Sequence, residues 1–170
     1  MAWYRGARRP LDEAEKSTDA AKARARAMEL LAGQELSSGG LYERLNRRFA
    51  GQTAAAVVAE MVEREYVNDA RYAETRAHGL LAAKKSRRAA AQNLRQKGLS
   101  APQIEQALDT VYAADETGED PELEAAAALV ASRYRKKLEA GHRDLVVAAL
   151  MRRGFAYPVI RDAIQRVEQE

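Results

Sequence analysis

"RQKGLSAPQIEQAL", Arg95 to Leu108, decides the fold, because it holds the end of one helix, a turn and the start of another. Gly98 is the residue type expected just past a helix C-terminus, where a positive φ is cheap without a Cβ. Ser100 with Gln103 three residues later is a capping-box signature, and Pro102 is tolerated in a first helical turn. Ile104, Ala107, Leu108 and Val111 then have the spacing of one buried helical stripe, with Leu99 tucked into the core ahead of them. Arg95 and Lys97 stand just before the turn.

The pattern recurs along the chain. Aligning Phe49, Leu99 and Phe155 brings Ala54, Ile104 and Ile160 into register without gaps, then Val58, Leu108 and Ile164, then Met61, Val111 and Val167. Upstream, Leu94 matches Leu150 and Gly98 matches Gly154, whereas the first copy has Arg48 before Phe49 and no glycine. Units that repeat in this way hide their apolar faces only against their neighbours.

The remaining helices follow from the same periodicity. One is expected over residues 20–32, with Ala27, Leu30 and Leu31 as its stripe and Gly33 as its stop. Leu41, Leu45 and Phe49 share a face of the next; a third, from Thr53 to Tyr66, is expected to turn Val57, Val58, Met61 and Val62 inward. Asn68 or Asp69 is the N-cap of the one after that. The sequence therefore predicts an all-α fold of three tandem three-helix repeats forming an elongated, curved stack. Its expected parts are a flexible arm over residues 1–19 (including Trp3 and Tyr4), repeats over 20–66, 67–113 and 121–170, and an acidic linker over 114–120.

Composition agrees and excludes several functions. The 170 residues suffice for one ordinary domain or a few stacked units. Aromatics at 6% and charged residues at 31% favour helices with modest apolar stripes over a sandwich or barrel. No cysteine means no disulfide framework, thiolate metal site or cysteine nucleophile, and a cytoplasmic home is the default. The first residues lack the apolar core of a signal peptide, and no window approaches the roughly 18 uncharged residues of a membrane span. "GQELSSGG" lacks the lysine of a phosphate-binding loop. His78 and His142 lie in different units, and Glu63 and Glu65, at i and i+2, do not face one another on a helix. The expectation is a non-enzyme with no cofactor and no metal.

Charge supplies the positive signal. From Arg71 to Lys97 there are eight bases (Arg71, Arg76, Lys84, Lys85, Arg87, Arg88, Arg95 and Lys97) against one acid, Glu74. From Asp115 to Glu124 there are six acids and no base. Arg88, Gln92 and Arg95 fall on one face of their helix at i, i+4 and i+7 while Ala90, Leu94 and Ala91 turn to the core. Arg71, Tyr72 and Arg76 are candidates to extend that ridge from the preceding helix. An alanine-rich helix needs charge for solubility, so a solvated face is the plain alternative; the imbalance suggests a polyanion or an acidic protein face as partner. Tyr72 and Tyr134 could stack on bases, although amphipathic packing accounts for either.

The ordered motifs resemble a known family. "EREYVNDARYAE" (Glu63 to Glu74), "SRRAAAQNLRQKGLS" from Ser86 and "LMRRGFAYPVIRDAI" from Leu150 are together similar to RecX, the bacterial regulator of the RecA recombinase, over about residues 20–170. Ser86 stands where the family often has Gly, and Asn93 where it often has Glu. The resemblance implies a non-catalytic protein lying in the groove of the RecA filament on single-stranded DNA. There it would limit filament growth or promote disassembly, lowering ATPase and strand-exchange activity. On that reading Arg71, Tyr72, Arg76, Lys84, Lys85, Arg87, Arg88, Arg95 and Lys97 are the expected RecA or DNA contacts, made by a monomer. The rival is a stand-alone helix-turn-helix DNA-binding module.

Overall fold

The computed structural model describes residues 10–114 and 118–169. Residues 1–9 of the expected arm, Trp3 and Tyr4 among them, and Asp115 to Thr117 of the expected linker lie outside the described residues. Helices carry the fold, with no strand among the described residues: α1 (Ala20–Gly33), α2 (Ser38–Asn46), α3 (Gly51–Glu63), α4 (Asp69–Ala82), α5 (Arg87–Gln96), α6 (Ala101–Val111), α7 (Pro121–Arg133), α8 (Arg135–Glu139), α9 (Arg143–Arg152) and α10 (Tyr157–Gln169). The chain divides into two compact units, one ending at Asn68 and the other starting at Asp69.

Each three-helix group builds its own apolar core from the aligned positions. Leu45, Leu94 and Leu150 are fully buried on the second helices. Phe49, Leu99 and Phe155 are buried just after them, and Ala54, Ile104 and Ile160 head the buried stripes of the third helices. Removing a buried leucine such as Leu94 to alanine would cost about 2–5 kcal/mol, so the stripe and not helix propensity holds each group.

The turn that delivers the anchor residue has two forms. Gly98 and Gly154 take left-handed φ of 78° and 91°. The amides of Leu99 and Phe155 then reach back five residues to the carbonyls of Leu94 and Leu150, at 3.5 and 3.2 Å. In the first group the Phe49 amide reaches only four residues back, to Leu45 at 2.9 Å. That turn is one residue shorter and needs no left-handed residue, which is why Arg48 can stand where the others have glycine.

In the first unit, the end of the stretch read as an arm is bonded to the helices. Glu13–Glu15 forms a single 3₁₀ turn. The Ser17 amide donates to the Arg48 carbonyl and the Ala50 amide to the Ser17 carbonyl, both at 2.9 Å. Ala50, at the N-cap of α3, has no side chain with which to cap it. The Glu13 carboxylate does so instead, accepting from the Gly51 amide at 2.5 Å. Lys16 first, and then this amide, hold the Glu13 carboxyl below its usual range.

Two sequence expectations are corrected. The third helix stops at Glu63 and not Tyr66, because Glu65 turns left-handed (φ 58°) and the Val67 amide returns to the Met61 carbonyl at 3.2 Å. Val62 is 45% exposed, since it lies on the shoulder of the stripe that Ala54, Val57, Val58 and Met61 centre. The last group also carries an added short helix, α8, closed by the left-handed Gly141.

Within the second unit, α4 packs on α7 and one serine ties the two repeats together. Ser86 is fully buried. Its hydroxyl oxygen caps α5 by accepting from the Ala89 amide at 3.1 Å, and its hydrogen is donated to the Arg153 carbonyl at 2.9 Å. A Cβ added at Gly154 would stand 2.7 Å from that same oxygen. Gly154→Ala is therefore expected to destabilise by more than about 2 kcal/mol in urea unfolding, combining a left-handed clash with two disturbed buried hydrogen bonds. Gly79→Ala, inside α4 with nothing within 4 Å of its added Cβ, is expected to stabilise by about 0.5–1 kcal/mol in the same assay.

Candidate functional site

The basic ridge of the second unit rests on α5. Ala90 and Leu94 are fully buried, and Ala91 packs against the same core. That fixes the opposite side: Arg88, Gln92 and Arg95 are exposed, as the periodicity predicts. The guanidiniums of Arg88 and Arg95 have no ion-pair partner among the described residues. The Ser86 cap and the Lys97 C-cap bound a helix of under three turns, so these side chains project from a rigid base.

The neighbouring candidates join this ridge unequally. Arg76 on α4 reaches the flank of α5, its Nε donating to the Asn93 side-chain oxygen at 3.1 Å, a position about 100° round the helix from Gln92. Asn93 is neutral, so this bond leaves the Arg76 charge in place. Arg71, near the start of α4, and Lys97 are exposed. Tyr72 is half-buried against the repeat core, which accounts for it by packing. Lys85 is exposed, and its carbonyl accepts the Tyr112 hydroxyl at 3.0 Å.

Two of the nine candidates are turned elsewhere. Arg87 is not an unpaired cation: its Nη2 donates to Asp109 at 2.7 Å and to Glu105 at 2.9 Å on α6, which removes its charge from the outer face. Lys84 takes a left-handed φ of 57° and lines a cleft of about 510 Å3 with His78, Glu119 and Glu124, the last of which pairs with Arg166. The surface that remains on α5 is a cationic face of Arg88 and Arg95 with the Gln92 amide between them, and Arg76 stands at its flank. Guanidiniums on such a strip can take carboxylates or phosphates in paired hydrogen bonds. Among the described residues no group of three or more His, Asp or Glu could hold a metal.

Two supporting residues escape a reading by charge and period. Glu122 falls in the stretch taken for the edge of the acidic linker. Asp120 caps α7, however, accepting from the Glu122 amide at 2.8 Å, and Glu122 is thereby brought to the start of α5. Its carboxylate accepts from the Arg87 backbone amide at 3.0 Å, at the positive end of that helix. Burial pushes the Glu122 carboxyl up, with the Arg87 amide opposing. Tyr112, just past α6, is buried with its phenol pushed up to about 12 by burial. The Asp120-Pro121 pair was the available signal for the cap; nothing in sequence spacing links Glu122 to Arg87.

Fold and surface together define a class: a tandem three-helix-repeat protein with one cationic helix face. Residues 68–108 match the family description of the second three-helix domain of RecX. The fold is similar to the crystal structure of RecX from Lactobacillus salivarius, at TM-score 0.76 and 19% identity over 89% of this chain and 98% of that one. It is also similar to a crystal structure of regulatory protein RecX, at TM-score 0.71 and 21% identity, covering 89% of this chain and 72% of that one. No curated protein matches at a significant level. The family match is confined to that segment of the second unit, and the likeness to the two solved structures is one of fold.

The Glu122 carboxyl has a direction that can be checked. Because its folded pKa is raised, its ionisation opposes folding, so this group's contribution is fully present below the unfolded pKa and is lost as pH rises through the folded one. Glu122→Gln keeps an oxygen for the Arg87 amide without the charge. Its stability relative to wild type is therefore expected to improve between about pH 4 and pH 7 in urea unfolding; a difference that stays flat over that range would refute the account.

Proposed function

We propose that the chain is a non-catalytic modulator of RecA, mainly inhibitory, that docks on the RecA filament on single-stranded DNA. It limits filament extension or promotes disassembly, and so lowers RecA ATPase and strand exchange in recombination, DNA repair and the SOS response. The observation that carries this reading is the α5 face. Arg88, Gln92 and Arg95 project from a helix locked on its other side, in the segment that matches a RecX domain. Arg76 adds charge at the flank of that face through Asn93.

Such a strip suits a partner offering phosphates and carboxylates together, as protein-coated single-stranded DNA does. Several modest contacts along a repeating filament add up without any one of them being strong. Electrostatic contacts of this kind also weaken with salt, roughly in proportion to the phosphates neutralised. The chain works here as a monomer in the cytoplasm, and contact with DNA accompanies contact with RecA.

Titrating the protein into RecA filaments while following ATP hydrolysis tests the proposal. The wild type is expected to slow hydrolysis, and R88E/R95E to need about tenfold more protein for the same effect. The R87E change acts by another route: it breaks the pairing to Glu105 and Asp109, so it should lower the melting temperature as well. Inhibition that survives R88E/R95E undiminished would remove α5 from the contact. A wild type inert toward RecA that binds a specific duplex sequence in the presence of competitor DNA would favour the helix-turn-helix reading instead.

A further inference from the structure

The first unit holds a second concentration of positive charge, which a count along the sequence passes over because its members are spread over more than twenty residues. A cavity of about 380 Å3 is lined by Arg26, Arg44, Arg47 and Arg48, with Leu30 and Phe49 as its apolar lining. Arg26 comes from α1, Arg44 from α2, and Arg47 and Arg48 from the short turn that follows α2. Arg26 pairs with Glu29 on its own helix at 2.8 Å. Arg44 meets the neutral side-chain amide of Gln34. The guanidiniums of Arg47 and Arg48 have no partner among the described residues.

The lining of this concavity carries four arginines and no acidic residue, with Glu29 offsetting Arg26 from its own helix. The turn that presents two of them is fixed, since the Arg48 carbonyl accepts from Ser17 and the Ala50 amide donates back to Ser17. Arg48 occupies the place of Gly98 and Gly154, so the shortened turn puts a cation where the other repeats have no side chain. A carboxylate ligand would bring one charge and two acceptor oxygens. A phosphate brings more of both and suits converging guanidiniums better. The cavity is at the small end of the roughly 300–1,000 Å3 of ligand pockets, with space for a phosphate and little more than one attached sugar and base. Its apolar lining suits the face of such a group.

We propose that this cavity is a phosphate-binding site of the first unit, taking the phosphate of a nucleotide or of a single-stranded nucleic acid backbone. The proposal needs no RecA and stands apart from the α5 face. It is tested on the whole chain without RecA, by isothermal titration in about 50 mM salt, where such contacts are strong. The probes are ADP, a four-nucleotide thymidine oligomer and inorganic phosphate. The wild type is expected to bind ADP or the oligomer, and R47Q/R48Q to weaken that binding about tenfold or more. R26Q, on a different helix, is expected to weaken it in the same sense, and R161Q, an exposed arginine of the second unit away from the α5 face, to leave it unchanged. Binding of ADP identifies a nucleotide as the source of the phosphate; binding of the oligomer alone identifies the backbone. Circular dichroism melting checks that each variant folds, and R26Q carries the test if the double variant does not. Absence of binding by both ADP and the oligomer overturns the proposal. So does binding that R47Q/R48Q and R26Q leave intact, or that R161Q abolishes.

Discussion

Each repeat depends on a helix that stops within one turn and drops the following residue into the core. Three short helices cannot bury much apolar surface, so the anchor (Phe49, Leu99 or Phe155) must reach the centre without a linker to spare. Two solutions coexist in one chain. Gly98 and Gly154 accept a left-handed backbone and send the next amide five residues back, whereas the first group shortens the turn and sends it four. Everything downstream of the anchor keeps the same register in all three groups, so the difference is absorbed wholly in the turn. What the turn leaves over is chemistry: two glycines in one case, two arginines in the other.

Helix existence and core membership were legible in the sequence because both follow from local rules. The aligned triplets from Phe49 to Val167 are all buried, and the Ser100 and Gln103 capping box forms as its spacing predicts. Helix ends were less legible. Glu65 and Lys84 adopt left-handed conformations that side chains usually avoid, and no residue-type rule marks either as a stop. The extra helix α8 rests on Leu138 alone among its residues for contact with the core, a signal too short for periodicity to register.

The charged surface shows a different kind of limit. Counting bases between Arg71 and Lys97 finds the α5 ridge but treats every base as equivalent, while the fold sorts them. Arg87 is spent on α6, Lys84 lines a separate cleft, and Arg88 and Arg95 stay outward. That sorting depends on Glu105 and Asp109, which lie 18 and 22 residues from Arg87. The converse error is missing charge that gathers only in space, as Arg26, Arg44, Arg47 and Arg48 do. Both misjudgements have one cause: helix packing brings together residues whose sequence separation carries no period.

The Glu13 carboxylate on the Gly51 amide, with the Ser17 bonds beside it, acts as a stitch that closes the first unit from outside its helices. A boundary drawn at Ala20, where the α-helices begin, would retain every α-helical residue and discard the Glu13 side chain that caps α3. The start of a helical domain is thus set by its last hydrogen-bond acceptor and not by its first helical turn. Anyone trimming this protein for expression should cut before Asp12, whose amide the Glu15 carboxylate holds, and treat the eight residues from there to Asp19 as part of the folded body.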